Sequence, residues 1–219
     1  MAIGRPRAFD PDKALDQALT LFWEKGYEGT SLTDLTEAIG VNKPSLYGAF
    51  GGKEQLFFKA LARYQERLGA FAAPSLALPS ARSGIEAFLR ALATFQSAKG
   101  TPRGCLLVQG ALTGSEDSRR VAQVLCEVRE SGVEMIRTCL EDARKRGELP
   151  PDTDIGALAR FFGTVSQGIS VQAASGVPTN ELHQTISIAM RSWPETRPST
   201  AKGTGKQLDL SWGKRSARP

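Results

Sequence analysis

The 219-residue chain has a single histidine, His183, three cysteines and three methionines, and no apolar run approaching the 18 or so residues of a bilayer-spanning helix. Each shortage removes a class of function. The one histidine and the scattered cysteines show no metal-ligand cluster in the sequence, and the expected place of His183 is a surface or an interface. No nucleophilic triad, phosphate-cradling glycine loop or dinucleotide fingerprint is written in the sequence, so the chain reads as a non-enzyme without metal or cofactor. It shows no signal peptide either, and the expectation is a soluble, cytoplasmic protein with no membrane partner. Cys105, Cys126 and Cys139 form an odd set that suits a reducing compartment. Cys126 and Cys139 share one predicted helix, about 20 Å apart at 1.5 Å per residue, which is beyond disulfide reach. Cys105 follows Arg103-Gly104 at a predicted helix start. It is read chiefly as a buried packing cysteine, with a thiol of lowered pKa and a redox-sensing role as the alternative.

The net charge of +5 is unevenly placed. Residues 1–70 carry nine basic and nine acidic side chains, whereas residues 194–219 carry six bases against Glu195 and Asp209. This last stretch, rich in Pro, Gly, Ser and Thr, is expected to be a disordered tail that is basic and, by default, without function. The basic balance is thus largely a tail effect, and any argument for nucleic acid must rest on where single cations sit.

Helical periodicity dominates the rest. Asp10 caps and Pro11 opens a helix striped by Leu15, Ala18, Leu19 and Phe22, ending at Gly26. Ser31 and Asp34 form a capping box for a second helix with Leu32, Leu35 and Ile39 on one face. Gly40 stops it, Val41 plugs the turn, and Asn42 with Pro44 starts a third helix. Leu46, Ala49 and Phe50 face inward there, leaving Lys43, Ser45, Tyr47 and Gly48 outward. A lysine, a hydroxyl and a phenol on a short capped helix suit a DNA major groove, with an ordinary helical hairpin as the alternative. Gly51-Gly52-Lys53-Glu54 begins a fourth helix, whose buried side is Leu56, Phe57, Ala60, Leu61, Tyr64 and Leu68. Its first turn offers N–H groups to an anion.

The segment from Phe9 to Leu61 resembles the amino-terminal domain of the tetracycline-repressor-like (TetR/AcrR) transcription regulators. The resemblance rests on Phe22, Gly26, Tyr27, Thr30-Ser31, Gly40-Val41, Leu46-Tyr47-x-x-Phe50 and Lys53. It implies a repressor that binds a palindromic operator in double-stranded DNA. Lys43, Pro44 and Ser45 would meet bases, and Tyr47, Lys53 and either Thr30 or Ser31 would meet phosphates. Arg5 and Arg7, in the arm before the first helix, would reach an adjacent minor groove.

Beyond a loop expected over residues 72–84, the remainder reads as a second helical domain, giving an all-α chain of about nine helices. The expected division is a DNA-binding domain over 1–70, an effector-binding and dimerisation domain over 71–193, and the tail. Ile85, Phe88, Leu89, Leu92 and Phe95 stripe one helix, and residues 104–112 are apolar nearly all round. Asp117 or Ser118 opens a long helix to about Lys145, with Val121, Val124, Leu125, Val128, Met135, Ile136 and Leu140 inward. Two further helices follow, the first apolar at Ile155, Leu158, Ala159, Phe162, Val165 and Ile169. There Gly156, Gly163, Ser166 and Ser170 would let a second copy approach, and the resemblance implies a homodimer through residues 154–193. A cavity ringed by Phe88, Leu92, Phe95, Cys105, Gln109, Phe161, Phe162 and Gln167 would take a small hydrophobic or aromatic effector. The alternative from another class is a helical small-molecule-binding or protein-interaction module with little DNA affinity.

Overall fold

The computed structural model describes residues 9–110 and 118–195. The expectations for Arg5 and Arg7, and for the tail beyond Glu195, lie outside the described residues. Among the described residues there are nine α-helices: α1 (Pro11–Lys25), α2 (Leu32–Ile39), α3 (Lys43–Phe50), α4 (Lys53–Leu76), α5 (Ala81–Gln96), α6 (Leu106–Gln109), α7 (Arg119–Lys145), α8 (Ile155–Ala174) and α9 (Thr179–Ala189). A short 3-10 turn, Met190–Ser192, follows the last.

The helix ends follow their caps. The Asp10 carboxylate accepts from the N–H groups of Asp12 and Lys13, Asn42 accepts from Ser45 and Asp154 from Ala157. Gly40 takes the left-handed conformation, φ 73°, that turns α2 into α3. No side chain of α5 caps its own start; instead the Glu148 carboxylate, from the turn after α7, accepts from the N–H of Ala81 at 2.8 Å.

Two differences from the expected helices have local causes. The loop of 72–84 shrinks to residues 77–80, because α4 continues through Pro74 to Leu76. An interior proline costs a helix about 3 kcal/mol, and here Ala72, buried, and the Phe71 ring against Phe88 hold the last turns to α5. On α7, Met135 turns outward, 46 % exposed, and Val133 takes the inward place with Ile136 and Leu140, since 133, 136 and 140 keep the helical period.

Two hydrophobic cores result. The first joins α1–α4 through Phe22, Trp23, Leu35, Leu46, Phe57 and Tyr64, with Phe22 edge-on to Phe57 at 5.1 Å and Trp23 edge-on to Tyr64 at 4.8 Å. It runs without a break into Cys105, Leu106, Val121 and Leu125. The second packs α5, α7, α8 and α9 around Ile85, Leu89, Ile136, Leu140, Phe162, Ile169 and Ile186. No described helix is long and apolar enough to cross a membrane.

The α4–α5 hairpin is close enough to be tested by one methyl group. A Cβ at Gly84 would stand 2.9 Å from the Ser75 carbonyl oxygen, whereas one at Gly69, also within a helix, would meet nothing within 4 Å. Gly→Ala ordinarily favours a helix by about 1 kcal/mol. Thermal melts of the two variants should therefore move in opposite directions: Gly69→Ala up, and Gly84→Ala down by about 1–3 kcal/mol from overpacking. A gain at both positions would contradict the close approach.

Candidate functional site

The turn that presents α3 is fixed by polar groups as well as by its core. The Ser31 hydroxyl accepts from the Asp34 N–H at 3.0 Å while the Asp34 carboxylate accepts from the Ser31 N–H at 2.7 Å, a reciprocal capping box. Lys25, in the last turn of α1, reaches the other carboxylate oxygen of Asp34 at 2.6 Å. These contacts, the Lys25 bond foremost and the Ser31 hydroxyl and N–H next, hold the Asp34 carboxyl well below its ordinary range. Lys25 also offsets the negative charge beside Ser31, a pairing that the sequence analysis did not anticipate.

From this base α3 stands with one side in and one side out. Leu46 and Phe50 are buried, Lys43, Pro44, Tyr47 and Gly48 are exposed, and Ser45 is half-buried. The Tyr47 ring lies beside Gly52, where an added Cβ would be in ordinary contact with its Cε1 at 3.5 Å; it is the positive φ of 142° that calls for glycine at the head of α4. Lys53 opens α4, which begins without a side-chain cap, and its Nζ sits 4.2 Å from the centre of the Tyr27 ring. Partial burial lowers the Lys53 pKa, while Glu28 and Asp34 act in the opposite sense. Ser31, Lys43, Pro44, Tyr47 and Lys53 thus frame the exposed side of the motif. Thr30 does not: it is fully buried and its hydroxyl donates to the Gly26 carbonyl at 2.7 Å, so it locks the α1–α2 turn. Of the two hydroxyl alternatives, Ser31 is the exposed one.

A second site lies behind the motif. A cavity of about 200 Å³ opens among α4, α5, α7 and α8, reached also by the segment from Cys105 to Val108. Phe88, Leu92, Cys105 and Gln167 line it as expected. The other four named residues are elsewhere. Phe95 stacks between Trp23 and Phe71, each ring centre 5.5 Å away, and Gln109 is exposed and folds over Gly104. Phe161 is 39 % exposed and Phe162 is buried against Trp193. The face of α8 turned to the cavity is instead Gly163, Ser166, Gln167 and Ser170. Gly163 serves the approach of α7, since a Cβ there would meet Val133 at 2.7 Å, so these small residues belong to the interior and not to a surface for a second copy.

The walls are mainly apolar: Leu68, Val108, Val133 and Ile136 among others. Among the described lining residues Arg129 alone is charged, and its guanidinium donates to the Leu107 carbonyl. Gln65, Gly69, Ser131 and Met135 are the exposed lining residues, which places the opening between α4 and α7. Gln96, fully buried on α5, also lines the space and was missed. It continues the stripe of Ile85, Leu89 and Leu92, and a polar residue at such a core position was the available signal. Cys105 is buried, and that burial pushes its thiol pKa up although Tyr64, the Leu107 and Val108 N–H groups and Ser170 lie close to it. The lowered thiol that stood as the alternative reading is not what the structure favours: burial, the largest influence, raises the pKa, and α6 has only four residues.

The two sites share a frame. The Trp23 indole Nε1 donates to the Gly104 carbonyl at 3.1 Å within the core, and the Tyr27 N–H donates to the Gly110 carbonyl at 3.2 Å. The end of α1 is therefore tied to both ends of the segment that carries Cys105.

Comparison with known proteins agrees over both parts. Residues 14–60 match the family of bacterial regulatory proteins described as tetR, and residues 81–193 match the tetracyclin repressor-like C-terminal domain. The chain is 38 % identical over 194 residues to the HTH-type transcriptional repressor ComR of Escherichia coli K12, covering 88 % of this chain and 92 % of that one. It is 30 % identical to the repressor BdcR of the same strain, over 85 % of this chain and 90 % of that one. Among solved structures, a cysteine mutant of the TetR family regulator CifR, complexed with 26-bp double-strand operator DNA, shares 43 % identity at a TM-score of 0.84, over 87 % of this chain and all of that one.

The Asp34 cluster gives a pH prediction. A carboxyl whose folded pKa lies below its ordinary 3.8 adds stability that is complete above that value and is lost as the pH falls through the folded one. Asp34→Asn should melt below the unsubstituted protein by a constant margin above about pH 5, and the margin should shrink as the pH drops below 3.8. A margin that does not change with pH would exclude this role.

Proposed function

The chain belongs to the TetR family of bacterial regulators and is a non-enzymatic, DNA-binding transcriptional repressor, and we propose that it acts in the cytoplasm as a homodimer on a two-fold symmetric operator, released by a small ligand in the cavity. The observation that carries the DNA reading is the exposed side of α3, with Lys43, Pro44 and Tyr47 at the surface between Ser31 and Lys53.

Lys43, Pro44 and Ser45 at the amino end of α3 are the proposed base contacts, where a helix in the major groove presents its first residues. Tyr47, Ser31 and Lys53 are the proposed phosphate contacts. The uncapped start of α4 points N–H groups at the same backbone. Residues 1–70 are neutral overall, so the phosphate grip comes from these placed groups, with the Arg5/Arg7 arm as a further proposed contact.

For the dimer, α8 presents an uncharged outward row, Ala157, Phe161, Thr164, Gly168 and Val171, spaced four, three, four and three residues apart, the spacing of a helix seam. Ile188 on α9, 63 % exposed, adds to the apolar face, and a Cβ at Gly168 would meet nothing within 4 Å. A self-complementary face of this kind suits a two-fold pair, and two recognition helices then read two half-sites about 34–36 Å apart. For release, the ties from Trp23 and Tyr27 to the Cys105 segment connect the cavity with the motif. A ligand shifts the operator equilibrium by as much as it prefers one form of the dimer over the other.

In gel shifts with DNA from upstream of its own coding region, the protein should bind with strong salt dependence. Lys43→Ala should weaken binding by roughly 1 kcal/mol or more and reduce the salt slope by about one. Tyr47→Phe, which removes a single hydroxyl, should cost about 1 kcal/mol. Retention unaltered by salt and by both substitutions would leave a ligand-binding module without operator function. Gly168→Arg, placing a charge in the α8 row, should convert the dimer to monomer in sedimentation and weaken operator binding at least about tenfold. A dimer that survives it would move the interface elsewhere.

A further inference from the structure

One buried polar side chain of the cavity is left without a hydrogen-bond partner in the protein. Gln96 is fully buried, lines the cavity, and neither its Nε2 nor its Oε1 has a hydrogen-bond partner. A carboxamide offers two N–H donors and two acceptor sites, and a buried one without partners is costly to keep. The backbone of the same residue is fully used: its carbonyl accepts from the Gly104 N–H at 2.9 Å, which fixes where the side chain starts. The position continues an apolar stripe, so leucine or methionine would have served packing alone.

The remaining walls narrow the chemistry. Arg129 already donates to the Leu107 carbonyl, and among the described lining residues there is no carboxylate or lysine. The Cys105 thiol lies beside the Tyr64 hydroxyl and is neutral in its buried setting. The volume, about 200 Å³, slightly exceeds the roughly 150 Å³ that suffices for a benzene ring in an engineered protein cavity. An entering molecule thus meets mainly apolar walls, a polar strip of Ser166, Gln167 and Ser170 on α8, the Arg129 guanidinium held at the Leu107 carbonyl, and on α5 the buried Gln96 carboxamide, which the protein leaves unpaired.

We propose that the cavity takes a compact, uncharged molecule of about one ring that carries a primary amide or an equivalent donor–acceptor pair, held edge to edge by the Gln96 carboxamide with its apolar body against Leu92, Val108, Val133 and Ile136. A carboxylate ligand would present two acceptors and no donor to Gln96, and a hydrocarbon would leave both its atoms unpaired. This inference rests on the reading of the cavity as the effector site. It adds the kind of molecule and the residue that selects it.

The test uses the full chain without DNA and three probes of one shape, benzamide, benzoate and ethylbenzene, by titration calorimetry in a sealed cell. Benzamide should bind at least about tenfold more tightly than either of the others, about 1.4 kcal/mol. Gln96→Leu should reverse the order of benzamide and ethylbenzene. In the unsubstituted protein, the side-chain NH₂ resonances of Gln96 should shift with benzamide and not with ethylbenzene, a measurement that stands even if the variant does not fold. Benzoate or ethylbenzene binding as tightly as benzamide, no binding of benzamide, or unmoved Gln96 resonances would each overturn the proposal. Benzamide binding that depends on Gln96 yet leaves operator retention unchanged would uphold the anchor and overturn release by this cavity.

Discussion

The hydrogen bond from the Trp23 indole to the Gly104 carbonyl is the constraint around which this molecule is arranged. It is buried, spans 81 residues of sequence, and lies where two units would otherwise meet as separate bodies. Because Trp23 also packs on Tyr64 and Phe95, the end of α1, the middle of α4 and the end of α5 converge on one point. Loss of the acceptor would strand an indole N–H in the core at a cost of about 1–3 kcal/mol. Cys105, the next residue, belongs both to the first core and to the cavity wall. The first of the two cores therefore carries the helix-turn-helix on one side and a wall of the cavity on the other.

Much of this was legible in the sequence because it is local. Caps at Asp10, Ser31 and Asn42, the left-handed Gly40 and the proline at the head of α3 depend on a few adjacent residues, and each stands where it was expected. What failed depends on azimuth and on distant partners. Phe161 and Phe162 are adjacent on α8, yet neither faces the cavity, because its four residues there begin one step later at Gly163. Thr30 looked like a free hydroxyl, and the Gly26 carbonyl that consumes it becomes visible once the turn is closed. Phe95 and Gln109 were expected at the cavity, while the Trp23 ring and the Gly104 turn decide where they go.

Electrostatics in this chain works by placement. A neutral amino-terminal region can still present cations to phosphate when its acids are engaged elsewhere: Asp34 with Lys25 and Ser31, Asp16 with Arg63 and Arg67, and Glu54 with Arg120. The acids that cancel the charge count thus act as internal fasteners among α1, α2, α4 and α7.

The opening of the cavity lies between α4 and α7, and α4 is also the helix whose first residue is Lys53. At 1.5 Å per residue this helix is a rod of about 36 Å, with the doorway at Gln65 and Gly69 near its middle and Lys53 at its tip. The doorway and the Lys53 side chain proposed to meet the operator backbone therefore belong to one continuous helix. Under the proposed release, substitutions along the threshold, away from α3 and from Gln96, would change how fast a molecule enters without changing which molecule is held.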